Sequence, residues 1–181
     1  IKYSLNIINN TFIIIKIIIK VLFIMFKEYL IRELKEDDIK NALDLIWNVF
    51  EEFESPDYCD EGITTFHQFI EYNSIIEKIK EKTLFFWGCF DSKKLIGVLA
   101  IRNLNHICML FVDKNYHKHG VAKKLMTTGI QYCICNKFNL TEITVNSSPY
   151  AVEVYHKLGF KDTAVEQIVD GIRFTPMKLL I

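Results

Sequence analysis

The sequence predicts one α/β domain in which strands and helices alternate along the chain. Three observations carry that expectation. Apolar residues switch repeatedly between continuous strand-type runs and helical spacing. Gly120 stands at one helix start and Gly159 at one helix end. Asp170-Gly171, a turn dipeptide, divides two β-prone runs near the C-terminus. With 181 residues, half of them hydrophobic and 24% charged, the chain has the size of one ordinary globular domain with a sizeable core.

Each element follows in order. Tyr29 to Leu34 is a short β-prone run. The acidic Glu36-Asp37-Asp38 then opens a helix whose apolar residues Ile39, Ala42, Leu43, Leu45, Ile46, Val49 and Phe50 recur at helical spacing. Glu54 to Gly62 breaks that pattern, and a second helical region is predicted from Thr64 to about Lys82, weakened near Asn73-Ser74. Leu84 to Phe90 and Leu95 to Ile101 flank Asp91-Ser92-Lys93-Lys94 and read as a hairpin, followed by a strand from His106 to Val112. After a polar loop, a helix opens beyond Gly120. Leu140 to Val145 is a further strand, and Tyr150 to Leu158 a helix opened by Asn146-Ser147-Ser148-Pro149. Phe160 to Val169 and Ile172 to Leu180 form the closing hairpin.

The first 25 residues differ from the rest. The run Thr11 to Phe26 is apolar but carries Lys16 and Lys20. A membrane-spanning helix needs roughly 20 apolar residues, and each central lysine costs on the order of 3 kcal/mol. No small-residue cleavage site follows the run, so it is also a poor signal peptide. The expectation is therefore an extension over residues 1–25 outside the fold, a natural start at Met25, and a domain over residues 26–181. A membrane or interfacial anchor is the competing reading of the same segment.

Charge and cysteine content narrow the chemistry. The 22 basic and 22 acidic residues balance, so no overall field favours nucleic acid or an anionic membrane, and any anion site must be local. Cys59, Cys89, Cys108, Cys133 and Cys135 lack the paired spacing of a structural zinc site. They read as reduced thiols in a cytoplasmic protein, and no metal is expected.

The segment Val112 to Met126 concentrates the chemistry. A buried strand gives way to a polar loop with a glycine and then to a helix. Backbone N–H groups at such a helix start, with Lys118, Lys123 and Lys124, suit a pyrophosphate. The alternative is that Gly120 only permits a tight turn into a basic surface helix.

Two motifs resemble the GNAT superfamily of N-acetyltransferases, and the resemblance extends from about Tyr29 to the end. His117-Lys118-His119-Gly120-Val121-Ala122 matches the family's phosphate loop, Gln/Arg-x-x-Gly-x-Gly/Ala, with Leu110-Phe111-Val112-Asp113 before it as the apolar strand. Its first position departs, since His117 stands where Gln or Arg is usual. Asn146 and the run Ala151-Val152-Glu153-Val154-Tyr155-His156-Lys157-Leu158-Gly159-Phe160 match the later motif without a gap.

The resemblance implies a mixed, mostly antiparallel central sheet, splayed between its fourth and fifth strands, with helices on both faces. Acetyl-CoA would lie in that splay as co-substrate, and an amine of a small molecule or peptide would attack its thioester directly. Backbone groups of Leu110, Phe111 and Val112 would pair with the pantetheine arm. The N–H groups of His117, Lys118, His119, Gly120, Val121 and Ala122 would hold the pyrophosphate, near Lys123 and Asn146. Tyr155 would protonate the leaving thiolate, and His106 would accept the ammonium proton, an unperturbed imidazole titrating near 6.5. The plainer readings are an aromatic anchor for Tyr155 and a solvated strand end for His106. Neither nucleic acid nor membrane is an expected partner, and a homodimer is left open. A CoA-binding regulatory domain without activity is the alternative function, suggested by His117.

Overall fold

The computed structural model describes residues 29–181. The expectations for residues 1–25 lie outside the described residues. Eight strands form the sheet: β1 (Leu30–Glu33), β2 (Leu84–Asp91), β3 (Lys94–Arg102), β4 (His106–Val112), β5 (Glu142–Ser147), β6 (Lys161–Asp162), β7 (Gln167–Val169) and β8 (Ile172–Leu180). Their spatial order is β1-β2-β3-β4-β5-β8-β6, with β7 also paired to β8. Every pairing is antiparallel except the one between β4 and β5. The mixed, mostly antiparallel sheet implied by the sequence is therefore present.

Among the described residues five α-helices cover it: α1 (Glu36–Phe53), α2 (Asp60–Phe69), α3 (Tyr72–Lys80), α4 (Val121–Asn136) and α5 (Val152–Lys157). Period-two alternation along β2 and β3 divides the core. Phe86, Val98 and Ala100 pack with Ile39, Ile46, Phe50 and Ile75 under α1 to α3. Trp87, Leu99 and Ile101 pack with Leu125, Cys133 and Tyr155 under α4 and α5. Helices thus lie on both faces. Among the described residues no helix is long and apolar enough to cross a membrane.

Of the predicted stripe, helix α1 buries Ile39, Ala42, Leu43, Ile46 and Phe50 and leaves Leu45 and Val49 half-buried. Its start is fixed by Asp38, which accepts from the Lys35 backbone N–H at 2.8 Å and from both Arg32 guanidinium nitrogens at 2.7 and 2.9 Å. The Arg32 hydrogen bonds hold the Asp38 carboxyl below the usual range.

Three local expectations are corrected. The second helical region begins at Asp60 rather than Thr64 and breaks at Ile70 and Glu71 rather than at Asn73-Ser74. Glu71 caps the second piece, its carboxylate accepting from the Ser74 N–H at 2.8 Å, so Asn73 and Ser74 form a first turn instead of a break. The predicted helix from Tyr150 opens as a 3-10 turn, Pro149–Ala151, before α5. The first arm of the closing hairpin divides into β6 and β7. Both the N–H and the hydroxyl of Thr163 bond to the Pro176 carbonyl, and Pro176 has no N–H to carry the ladder further.

Candidate active site

The site begins with a divergence of strands. β4 and β5 pair only at His106↔Thr144 and Ile107↔Val145. Along β3 the register then jumps from Ile101↔Ile107 to Ala100↔Met109, so Cys108 is the extra residue of a β-bulge. A bulge bends its strand and re-aims its side chains. Ile107 accordingly packs under α4, whereas Met109 joins the opposite cluster under α1 to α3. Beyond the bulge β4 leaves β5, and a cavity of about 320 Å³ opens in the gap. That size falls at the lower end of the range for small-molecule sites, roughly 300 to 1,000 Å³. The splay stands between the fourth and fifth strands, as the sequence implied.

One end of the gap leads to the loop before α4. Asp113 accepts from the Asn115 N–H at 2.9 Å and pairs with Lys94 at 2.7 Å, which fixes the 3-10 turn Lys114–Tyr116. His117 turns its ring back, with Nε2 2.9 Å from the Val112 carbonyl oxygen and its centroid 5.3 Å from that of Phe53. The side chain at the departing motif position therefore braces the loop. Gly120 adopts the left-handed φ of 77° and caps α4. A Cβ on Gly120 would meet nothing within 4 Å, so open space lies before the helix start. First-turn N–H groups have no acceptor within their own helix, and those of Val121, Ala122 and Lys123 begin α4. Lys118, His119 and Lys123 are exposed around them. Free donors, a helix N-terminus, exposed cations and unfilled space together fit a pyrophosphate.

Tyr155, His106, Cys108 and Asn146 line the cavity. Tyr155 is buried on α5, its ring edge-on to Phe160 at 5.3 Å between centroids. Burial raises its phenol, and the Glu54 charge raises it further. It therefore stays protonated, as a proton donor must. His106 is half-buried rather than solvated, with Nδ1 2.8 Å from the Thr144 hydroxyl oxygen. Burial, and then the Arg102 charge, push its imidazole down to about 4. The unperturbed value assumed from sequence does not hold here, and the ring is neutral at physiological pH. Asn146 lines the cavity but remains exposed.

The sequence reading missed Glu54. It opens the segment after α1 that breaks the helical pattern, and it lines the cavity that Tyr155 also lines. The residue keeps some accessible surface while its carboxyl is enclosed, and burial pushes that carboxyl up to about 7. The Ser148 hydroxyl opposes the shift by favouring the charged form, whereas the Asp57 charge adds to it. Ser148 Oγ is itself buried and lacks a fully formed hydrogen bond, so it leans on the carboxyl without ideal geometry. Of the other acidic residues at this helix end, Glu52 pairs with Lys114 at 2.9 Å and Glu51 is exposed.

The far wall is built by contacts distant in sequence. Phe50, Phe66 and Phe111 link α1, α2 and β4, at 4.0 and 5.9 Å between centroids. The Tyr58 hydroxyl donates to the Arg173 carbonyl at 3.0 Å and the Thr65 hydroxyl to the Asp170 carbonyl at 2.9 Å. Gly62 and Gly171 bring two backbones into direct contact, since a Cβ on either would collide with the other's main chain. These contacts tie the turn between β7 and β8 to the start of α2. Among the described residues no cluster of metal-ligating side chains occurs.

Comparison with known proteins agrees with this architecture. Residues 54–181 match the acetyltransferase (GNAT) domain family. No curated protein sequence matched the chain. Among solved structures, the PaiA N-acetyltransferase of Thermoplasma acidophilum in complex with coenzyme A superposes with a TM-score of 0.68 at 18% identity, over 85% of this chain and 99% of that one. A GNAT-family acetyltransferase of Staphylococcus aureus Mu50 gives 0.67 at 16% identity, covering 84% and 99%. The spermidine N-acetyltransferase of Vibrio cholerae, in complex with CoA and spermine, gives 0.58 at 20% identity, covering 84% and 95%. At such identities the superpositions speak for the fold, while the domain match spans well over half the chain and carries the assignment: this protein belongs to the GNAT acetyltransferase family.

Proposed function

We propose that the protein transfers the acetyl group of acetyl-CoA to a primary amine of a small molecule or peptide by direct attack within the β4–β5 cleft. The observation that carries this reading is the succession of three features along and beside β4. They are the free edge of β4 beyond its bulge, the open cradle at Gly120 and the protonated, buried Tyr155. Leu110, Phe111 and Val112 would offer main-chain groups to the pantetheine arm, and the loop from His117 to Lys123 would hold the pyrophosphate. The bound thioester supplies an activated acetyl carbonyl. Tyr155 delivers a proton to the departing sulfur, and Asn146 contributes at the rim of the same cleft. Five unpaired cysteines suit a reducing cytoplasm.

The test is transfer of isotopically labelled acetyl from acetyl-CoA to a panel of amines, followed by mass spectrometry of the products. Label that never leaves acetyl-CoA, despite measurable binding, would instead favour a CoA-binding domain without activity.

For His106 the expected outcome follows from its burial. It was the proton acceptor expected from sequence, but a group held near 4 takes a proton from an ammonium reluctantly. His106→Ala is therefore expected to leave the neutral-pH limb of the kcat/KM profile in place and to change the rate less than about tenfold. Loss of that limb in the variant would restore His106 as the acceptor.

A further inference from the structure

We propose that Glu54 binds and deprotonates the acceptor, and that the acceptor is a primary amine on an apolar, preferably aromatic, body. This rests on the transferase reading above and goes beyond it by naming the acceptor class and the residue that receives its proton.

The placement comes first. Glu54 lies at the end of α1 and lines the cavity that Tyr155 also lines, close enough for its charge to raise the Tyr155 phenol. Around that carboxyl the wall is apolar and aromatic. Tyr58, Phe66 and Phe69 come from the loop and α2, and Ile172 and Phe174 from β8. Such a lining desolvates a hydrocarbon body favourably and receives an ammonium against aromatic faces. The charged groups are few. Besides Glu54 the cavity has Arg102 on β3 and Asp170 at its rim, with His106 neutral and Cys108 raised by burial. A polyamine carries several ammonium groups and needs several carboxylates, whereas this cavity has one enclosed carboxylate and an arginine in its lining. One cation on an apolar body fits it.

The groups facing Glu54 from every side are Asp57 and Tyr58 from its own loop, Ser148 and Tyr150 after β5, and Tyr155 on α5. Burial dominates among them and sets the carboxyl near 7, so it is half-ionised at neutral pH and matched to proton abstraction.

The step balances as follows. The ammonium gives one proton to the Glu54 carboxylate and becomes a neutral amine. Its nitrogen forms a bond to the acetyl carbonyl carbon, and the carbon–sulfur bond breaks with its electron pair leaving on sulfur. Tyr155 gives a proton to that thiolate and regains one from the acylated nitrogen through water. Glu54 then releases its proton to solvent, which accounts for the one proton the net reaction liberates.

Glu54→Gln preserves shape and removes the base. Three measurements on the full chain test the proposal: acetyl-CoA affinity by calorimetry, kcat/KM against pH, and melting temperature against pH. The parent should show an acidic limb near pH 7 with phenethylamine, and kcat/KM at least about tenfold higher for phenethylamine than for spermidine. E54Q should bind acetyl-CoA normally, lose about 10²-fold or more in kcat/KM at pH 7, and show no limb there. The sign for stability is fixed by the shift. The folded carboxyl binds its proton more tightly than the unfolded one, so stability falls as pH rises from about 4.5 towards 7. E54Q should therefore melt higher than the parent at pH 8 and alike at pH 4. A limb that persists in E54Q, or a tenfold preference for spermidine, overturns the proposal while leaving the transferase intact. A parent that binds no acetyl-CoA overturns the transferase reading and this proposal with it.

Discussion

Tyr155→Phe is expected to lower kcat by about 10²- to 10⁴-fold while acetyl-CoA binds almost as before. The substitution removes one hydroxyl and keeps the ring that packs edge-on against Phe160. Core volume and fold should survive. What disappears is a proton donor that burial and its acidic neighbours hold in the protonated state. Single-turnover measurement separates this chemical defect from slow product release. Near-normal single-turnover rates in the variant would reduce Tyr155 to a packing residue and assign thiolate protonation to water.

The second large effect is expected at Gly120. Glutamate there fills the open space before α4 and places a negative charge where the pyrophosphate would lie. It must also adopt a left-handed φ of 77°, which costs a residue with a Cβ about 1 to 2 kcal/mol. Acetyl-CoA affinity should fall at least about tenfold, on the order of 1.4 kcal/mol. Gly120→Ala shares the backbone strain without the charge, so the difference between the two variants isolates the electrostatic contribution. Equal calorimetric affinity for the parent and a folded Gly120→Glu protein would remove the loop from the cofactor site.

Much of the framework was legible because it rests on local patterning. The stripe from Ile39 to Phe50, the hairpin about Asp91 to Lys94, and the strand, loop and helix through Gly120 are each set by residues close in sequence. Features fixed by distant contacts were not legible. Gly62 reads as a breaker, yet it sits within the first turn of α2, and its missing side chain serves the approach of Gly171. The Cys108 bulge leaves no mark in the apolar run from His106 to Val112, because it exists only in the register with β3. His106 was assigned an ordinary imidazole, and its desolvation depends on how the cavity closes around it. Glu54 was passed over for the same reason: the residues that perturb it include Ser148, far along the chain.

The contact between Gly62 and Gly171 also bears on how an acceptor gets in. Two main chains that touch without intervening side chains leave no slack, and the Tyr58 and Thr65 hydroxyl bonds fasten the same seam. The start of α2 and the tip of the β7–β8 hairpin should thus open as one cooperative unit or stay shut. Amide protons on both segments would then exchange with deuterium at a common rate, despite the hundred or so residues between them. A guest molecule wedged against that seam should slow both segments in equal measure.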